Sequence, residues 1–156
     1  MRKLITAFIL IFSFFLSSQE PLFTLVDSSR AGINFSNELV DTEEHSIFLY
    51  ANYYGGSGVG IGDFDNDGLE DIFFAANLLD DKIYKNLGMF KFEDKTETSG
   101  IINNGSWSTG VTVADVNNDG LVDIYVSCEL YDNAPELRRN KLYINQGSFK
   151  FKESAS

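Results

Sequence analysis

The sequence predicts an all-β chain, a partial β-propeller of two four-stranded units, with a leading strand segment behind an export signal. Three observations predict it. One stretch of sequence recurs, and repeats of 20–50 residues or so mark solenoids, propellers or arrays. Each copy breaks into short runs rich in Val, Ile, Phe and Tyr, bounded by Gly, Asn and Asp. No segment after the N-terminal apolar run keeps a 3.6-residue apolar period.

The chain opens Met1-Arg2-Lys3, runs apolar over residues 4–16, and continues Ser17-Ser18-Gln19-Glu20-Pro21. A short basic start, an apolar centre and small residues behind it read as a secretory signal, residues 1–18. A membrane anchor is the competing reading, but a span needs about 20 apolar residues. The expectation is a secreted, extracellular or periplasmic protein with no membrane span after cleavage. Formal net charge is −11, and removal of Arg2 and Lys3 with the signal makes it more negative. A polyanion is repelled by nucleic acid and by anionic membranes, and suits a cation ligand. The single cysteine, Cys128, can form no internal disulfide, so an exported chain needs another staple. Its strand-like setting favours a small buried hydrophobe over a reactive thiol.

Residues 19–57 form a lead-in. Phe23-Thr24-Leu25-Val26-Asp27 followed by Ala31-Gly32-Ile33 matches Phe92-Glu93-Asp94 followed by Ser99-Gly100-Ile101, so the lead-in is expected to begin with an outer propeller-type strand. The first unit, residues 58–101, opens G-V-G-I-G-D-F-D-N-D-G-L-E-D-I-F-F at Gly58. The second, residues 102–156, carries G-V-T-V-A-D-V-N-N-D-G-L-V-D-I-Y-V from Gly110. Each copy later repeats K-I-Y-K-N-L-G-M-F-K-F (from Lys82) or K-L-Y-I-N-Q-G-S-F-K-F (from Lys141). Extra residues in the second copy fall within 129–140 and mark a surface loop. Val59 and Ile61 alternate with glycines, the run from Asp71 suits a central strand, and Phe90-Lys91-Phe92 reads as the fourth. A four-stranded unit of this size is one propeller blade, and propellers have typically 4–8. Two blades leave open edges, so the chain is expected to be the N-terminal part of a longer protein and to meet its remaining blades.

The acids concentrate in two loops. Asp63, Asp65, Asp67 and Asp71 stand at positions 1, 3, 5 and 9 of the first, with Gly68 at 6 and Leu69 at 7. Asp115, Asn117, Asp119 and Asp123 repeat the pattern in the second, with Gly120 and Leu121. Alternate oxygens in a tight loop can converge, and Ca²⁺ takes 6–8 oxygen ligands. The Leu69 and Leu121 carbonyls are natural further donors. An EF-hand would need Glu at position 12, where Phe74 and Val126 stand. Asp-Asn-Asp-Gly is also an ordinary turn sequence without any ion. Two copies at matched positions favour two Ca²⁺ sites, and four converging carboxylates repel one another unless a cation intervenes. Mg²⁺ fits less well, since it demands a smaller, near-octahedral shell. On side-chain charge alone, the second loop should bind more weakly.

These loops and the glycine-alternating strand resemble the FG-GAP/VCBS repeat family. The resemblance implies integrin-α-like propeller blades with D-x-D-x-D-G-x-x-D calcium loops. The order of motifs, including Ala31-Gly32-Ile33-Asn34-Phe35-Ser36-Asn37, Trp107-Ser108-Thr109-Gly110 and Arg138-Arg139-Asn140, is similar to the cartilage acidic protein/ASPIC–UnbV group.

His45 is the sole histidine and a poor catalytic candidate without a partner motif. Phe35, Phe48, Tyr50, Tyr53 and Tyr54 suggest a lead-in packed against the first blade, with sugar stacking as the alternative. Trp107 is expected between the blades. Arg138 and Arg139 can pair with Glu136 or meet an anionic partner. No phosphate loop, nucleophile elbow or zinc set occurs. The function expected is a non-enzymatic calcium-bound scaffold for an extracellular protein or glycan. The alternative is part of an exported carbohydrate-active enzyme, a polysaccharide lyase or sugar dehydrogenase, which fold alone does not separate.

Overall fold

The computed structural model describes residues 21–102, 104–130 and 133–155. The expected signal, residues 1–18, lies outside them. Two antiparallel four-stranded sheets follow one another along the chain. The first holds β1 (Val59–Gly62), β2 (Asp71–Phe74), β3 (Lys82–Asn86) and β4 (Phe92–Asp94), in that order. The second holds β5 (Trp107–Ala114), β6 (Asp123–Glu129), β7 (Lys141–Asn145) and β8 (Phe151–Glu153), also in sequence order. Among the described residues the helices are single turns, α1 (Ser28–Ala31) and α2 (Thr96–Ser99). Among the described residues no helix is long and apolar enough to cross a membrane.

The repeat seen in the sequence is a repeat of register. Ile61 faces Ile72 across β1 and β2, and Val113 faces Ile124 across β5 and β6. The acidic loops are the β1–β2 and β5–β6 connections. β5 extends further than β1 and is irregular between Ser108 and Val111.

The core lies between the two sheets. Phe64, Phe73, Ala75 and Ile83 of the first unit meet Ile124, Val126, Cys128, Tyr143, Phe149 and Phe151 of the second. Full burial of each large apolar side chain contributes roughly 1.5–3 kcal/mol. Close approach depends on the glycine face of β1. A Cβ on Gly60 would stand 2.7 Å from Val111 Cγ1 and 2.9 Å from Val113 Cγ2. Those two valines are the repeat equivalents of Val59 and Ile61, which are 52 % and 60 % exposed. One sheet therefore presents a valine stripe where the other presents glycines.

The lead-in match is also structural. Gly32 and Gly100 end α1 and α2 in the left-handed conformation, and a Cβ on either would strike a backbone carbonyl, Phe92 O or Phe151 O respectively. The expected outer strand at residues 23–27 is not formed: neither sheet pairs with it, and a strand without a partner has no ladder to hold it. The fourth strands also start later than the alternation suggested. Met89 and Phe90 take φ of 51° and 56°, and Ser148 and Phe149 take 52° and 60°. These pairs form the hairpin turns, so β4 begins at Phe92 and β8 at Phe151.

The lead-in aromatics divide between the sheets. Phe35 stacks on Phe74 of the first sheet with centroids 5.2 Å apart, while Tyr50 and Tyr53 close over Trp107 of the second at 5.7 and 5.4 Å. Trp107 thus lies under the lead-in rather than between the sheets. Phe48 stays exposed. Cys128 is buried, and burial pushes its thiol up. His45 helps close a turn, its amide donating to Thr42 Oγ1 at 2.9 Å.

Candidate metal centre

Each acidic loop is folded by its own aspartates. Asp63 follows β1 and accepts from the amides of Asp67 (3.0 Å) and Gly68 (2.8 Å). Asp67 Oδ1 accepts from the Leu69 amide at 2.9 Å. Asn66 and Gly68 take φ of 57° and 86°, so the chain reverses where Asn and Gly bear a left-handed backbone most easily. Asp71 opens β2 and is fully buried. Its Oδ2 accepts from Phe64 N (2.9 Å) and its Oδ1 from Asn86 N (2.8 Å), which tie the loop to its first turn and to β3.

The second loop repeats these bonds. Asp115 accepts from Asp119 N (3.2 Å) and Gly120 N (2.9 Å), and Asp119 from Leu121 N (2.9 Å). Asp123 accepts from Val116 N (3.0 Å) and Asn145 N (2.8 Å). Asn118 and Gly120 repeat the positive φ, at 60° and 86°. The loops adjoin: Asn66 Nδ2 donates to Gly120 O at 3.2 Å.

Convergence is strongest in the first loop. Asp63, Asp65 and Asp71 place carboxylate oxygens within 4.8 Å of one another, and among the described residues this is the one such group. Asp65 Oδ1 is buried and accepts no hydrogen bond. Asp67 stands outside the trio and pairs with Lys85, whose Nζ lies 2.8 Å from its Oδ2 and also contacts Asp65 Oδ2. In the second loop the position-3 residue turns to its own neighbours. Asn117 Oδ1 accepts from Asp119 N at 3.0 Å, and its Nδ2 donates to Asp119 Oδ2 at 2.9 Å. Leu69 and Leu121 lie at the expected bend, each amide held by the position-5 aspartate.

The charges feel this arrangement. Burial pushes Asp71 up to about 6; the two amide bonds oppose it, and Asp65 and Asp67 add repulsion. The bond from Lys85 holds Asp67 below the usual carboxylate range, and Lys85 rises in turn through Asp65 and then Asp67. The amide of Gly120 is the main cause of a lowered Asp115.

Three contributors escaped the sequence reading. Asn86 and Asn145 end the third strand of each unit and brace the loops: Asn86 Nδ2 donates to Glu70 O (2.8 Å), and Asn145 Nδ2 to Val122 O (3.0 Å) and Phe64 O (2.8 Å). Their recurrence in K-I-Y-K-N and K-L-Y-I-N was the available signal. Lys85 carried a different one, since its equivalent is Ile144.

Residues 63–126, from the first acid of one loop through the other loop into β6, match the model of the FG-GAP-like repeat. That stretch is similar to the FG-GAP-like repeat family. The chain is also 28 % identical over 134 residues to cartilage acidic protein 1 of Xenopus tropicalis, covering 85 % of this chain and 20 % of that protein. The chain thus spans about a fifth of that relative's length. The FG-GAP match covers both β1–β2-type loops, which places the repeat signature on the acid-bearing connections rather than on the lead-in.

Proposed function

We propose that this chain is an exported, calcium-binding interaction scaffold of FG-GAP propeller blades. The observation that carries the calcium reading is Asp65 Oδ1, a buried carboxylate oxygen with no hydrogen-bond partner beside Asp63 and Asp71. A buried acceptor left unsatisfied costs about 1–3 kcal/mol, more if charged. An oxygen-only donor set suits a hard cation, and Ca²⁺ above all. Asp63, Asp65, Asp67, Asp71 and the Leu69 carbonyl would hold one ion. Asp115, Asn117, Asp119, Asp123 and the Leu121 carbonyl would hold the other. Bound Ca²⁺ supplies the positive charge that offsets these carboxylates.

The chain's own residues do the rest. Asp71 and Asp123 anchor each loop to the third strand, so order at the loops is order in the blades. The scaffold reading rests on the FG-GAP match and on the exposed Val59 and Ile61 of β1. Val111 and Val113 enter the glycine face of a neighbouring blade, so Val59 and Ile61 fit the glycine face of a further one. An extracellular protein or a glycan is the class of partner the displayed loops would meet.

Equilibrium dialysis of the 156-residue chain against ⁴⁵Ca²⁺ tests the ion assignment. Two ions per chain are expected, falling to one in Asp63→Ala or Asp115→Ala. Binding of none would overturn it.

A further inference from the structure

The two loops differ most at a residue outside both. In the first, the Lys85 ammonium contacts Asp65 Oδ2 and lies 2.8 Å from Asp67 Oδ2, so two of the four carboxylates already have a cation. The side chain is 22 % exposed and passes over the Phe149 ring of the second sheet, with Nζ 5.8 Å from the centroid. That packing holds it over the loop. In the second unit the same strand position is Ile144, which brings no charge to Asn117 and Asp119. Each third strand pairs in the same register within its sheet, Tyr84 with Ile72 and Tyr143 with Ile124, so the two positions stand alike relative to their loops.

We infer that Lys85 is a tethered cation that competes with Ca²⁺ for Asp65 and Asp67, so that the second loop, with one acid fewer, fills at lower calcium than the first. This rests on the calcium reading above. The first loop carries four acids and the second three, but one ammonium brings the first to the same net charge. The remaining difference is occupancy. An ion entering the first loop must displace a bound ammonium from two oxygens. An ion entering the second displaces neutral donors, the Asn117 amide on Asp119 Oδ2 and the Asp119 N–H on Asn117 Oδ1. The consequence is a chain with two calcium thresholds. When calcium is scarce, Lys85 still bridges Asp65 and Asp67, so the first loop keeps a cation when the second has none.

Calcium titration calorimetry on single-loop backgrounds tests this, with a thermal melt of each variant as a second readout. In Asp115→Ala, which leaves the first loop, adding Lys85→Ile should tighten binding about tenfold or more, given the strength of a charge at contact distance. Ile is the residue the second unit already carries at this position. In Asp63→Ala, which leaves the second loop, adding Ile144→Lys should weaken binding by a similar factor. Asp63→Ala alone should bind more tightly than Asp115→Ala alone. In the melts, Lys85→Ile should lower the calcium-free midpoint and enlarge the rise on adding calcium. Calcium binding with an unchanged or weaker constant in Lys85→Ile, and no loss in Ile144→Lys, would overturn the inference and leave the calcium reading standing. If Lys85→Ile does not fold, the Ile144→Lys arm decides alone. Absence of calcium binding in every variant would remove the calcium reading and this inference with it.

Discussion

Asn145 stands at the end of β7 with every polar group engaged. Its amide N–H donates to Asp123 Oδ1, its Nδ2 to Val122 O and Phe64 O, and its Oδ1 accepts from Gly147 N. The Phe64 bond crosses from the second sheet to the first acidic loop. Asn86 makes the matching bonds within its own unit but, among the described residues, no such crossing. Asn145→Ala is therefore expected to lower stability by about 2 kcal/mol and Asn86→Ala by about 1, read from urea midpoints. Equal losses would argue against the crossing bond. Asp81 makes a pH prediction. Burial pushes its carboxyl up to about 6, while the Ala76 amide, Lys141 and Ser108 pull it down and Asp80 opposes them. The folded state thus holds a proton between about pH 4 and 6 that the unfolded chain has released. Stability from this group is present in acid and falls as pH rises through that window. The slope should flatten in Asp81→Asn, measured by urea midpoints from pH 4 to 7.

At the scale of elements, close approach of the sheets is set by β1. Gly60→Ala places a methyl 2.7 Å from Val111 Cγ1 and should cost about 1–3 kcal/mol through overpacking. Gly110→Ala, at the equivalent of Gly58 on β5, meets only the Ser127 side chain, with Oγ at 3.3 Å, and should cost less. Reversal of that order would place the sheet contact elsewhere. The glycine–valine alternation that creates this joint was readable as sequence, as were both acidic loops, because each is a local pattern repeated. The hairpin turns were less readable. Met89 and Phe90 are apolar and alternate with Lys91 and Phe92, so they imitate a strand, yet both lie in the left-handed region. The sequence does not show what Lys85 and Asn86 touch, because Asp65 and Asp67 lie 20 and 18 residues back in the β1–β2 loop and Asp71 lies 15 back on β2. Trp107 lies under the lead-in instead of between the blades because only the folded lead-in brings Tyr50 and Tyr53 over it. A count of loop charges likewise leaves out the Lys85 ammonium, which stands beside Asp65 and Asp67.

For the whole molecule, one joint between two sheets carries the core, and both acidic loops adjoin it. Phe64, inside the first loop, is fully buried against Phe149 and Phe151 of the second sheet, with centroids 6.1 and 5.7 Å away. Loop order and sheet packing are therefore coupled through one side chain. A ligand that binds only the folded state raises its stability by mass action, about 2.7 kcal/mol at 100 times its dissociation constant. The most direct measurement is a thermal melt of the full chain in millimolar Ca²⁺ and again in chelator, beside Asp63→Ala/Asp115→Ala. A higher midpoint in Ca²⁺ than in chelator is expected, with no such difference in the double variant. A cooperative melt with the same midpoint in Ca²⁺ and in chelator would contradict the calcium assignment, and the two loops would be acidic turns held by their own hydrogen bonds.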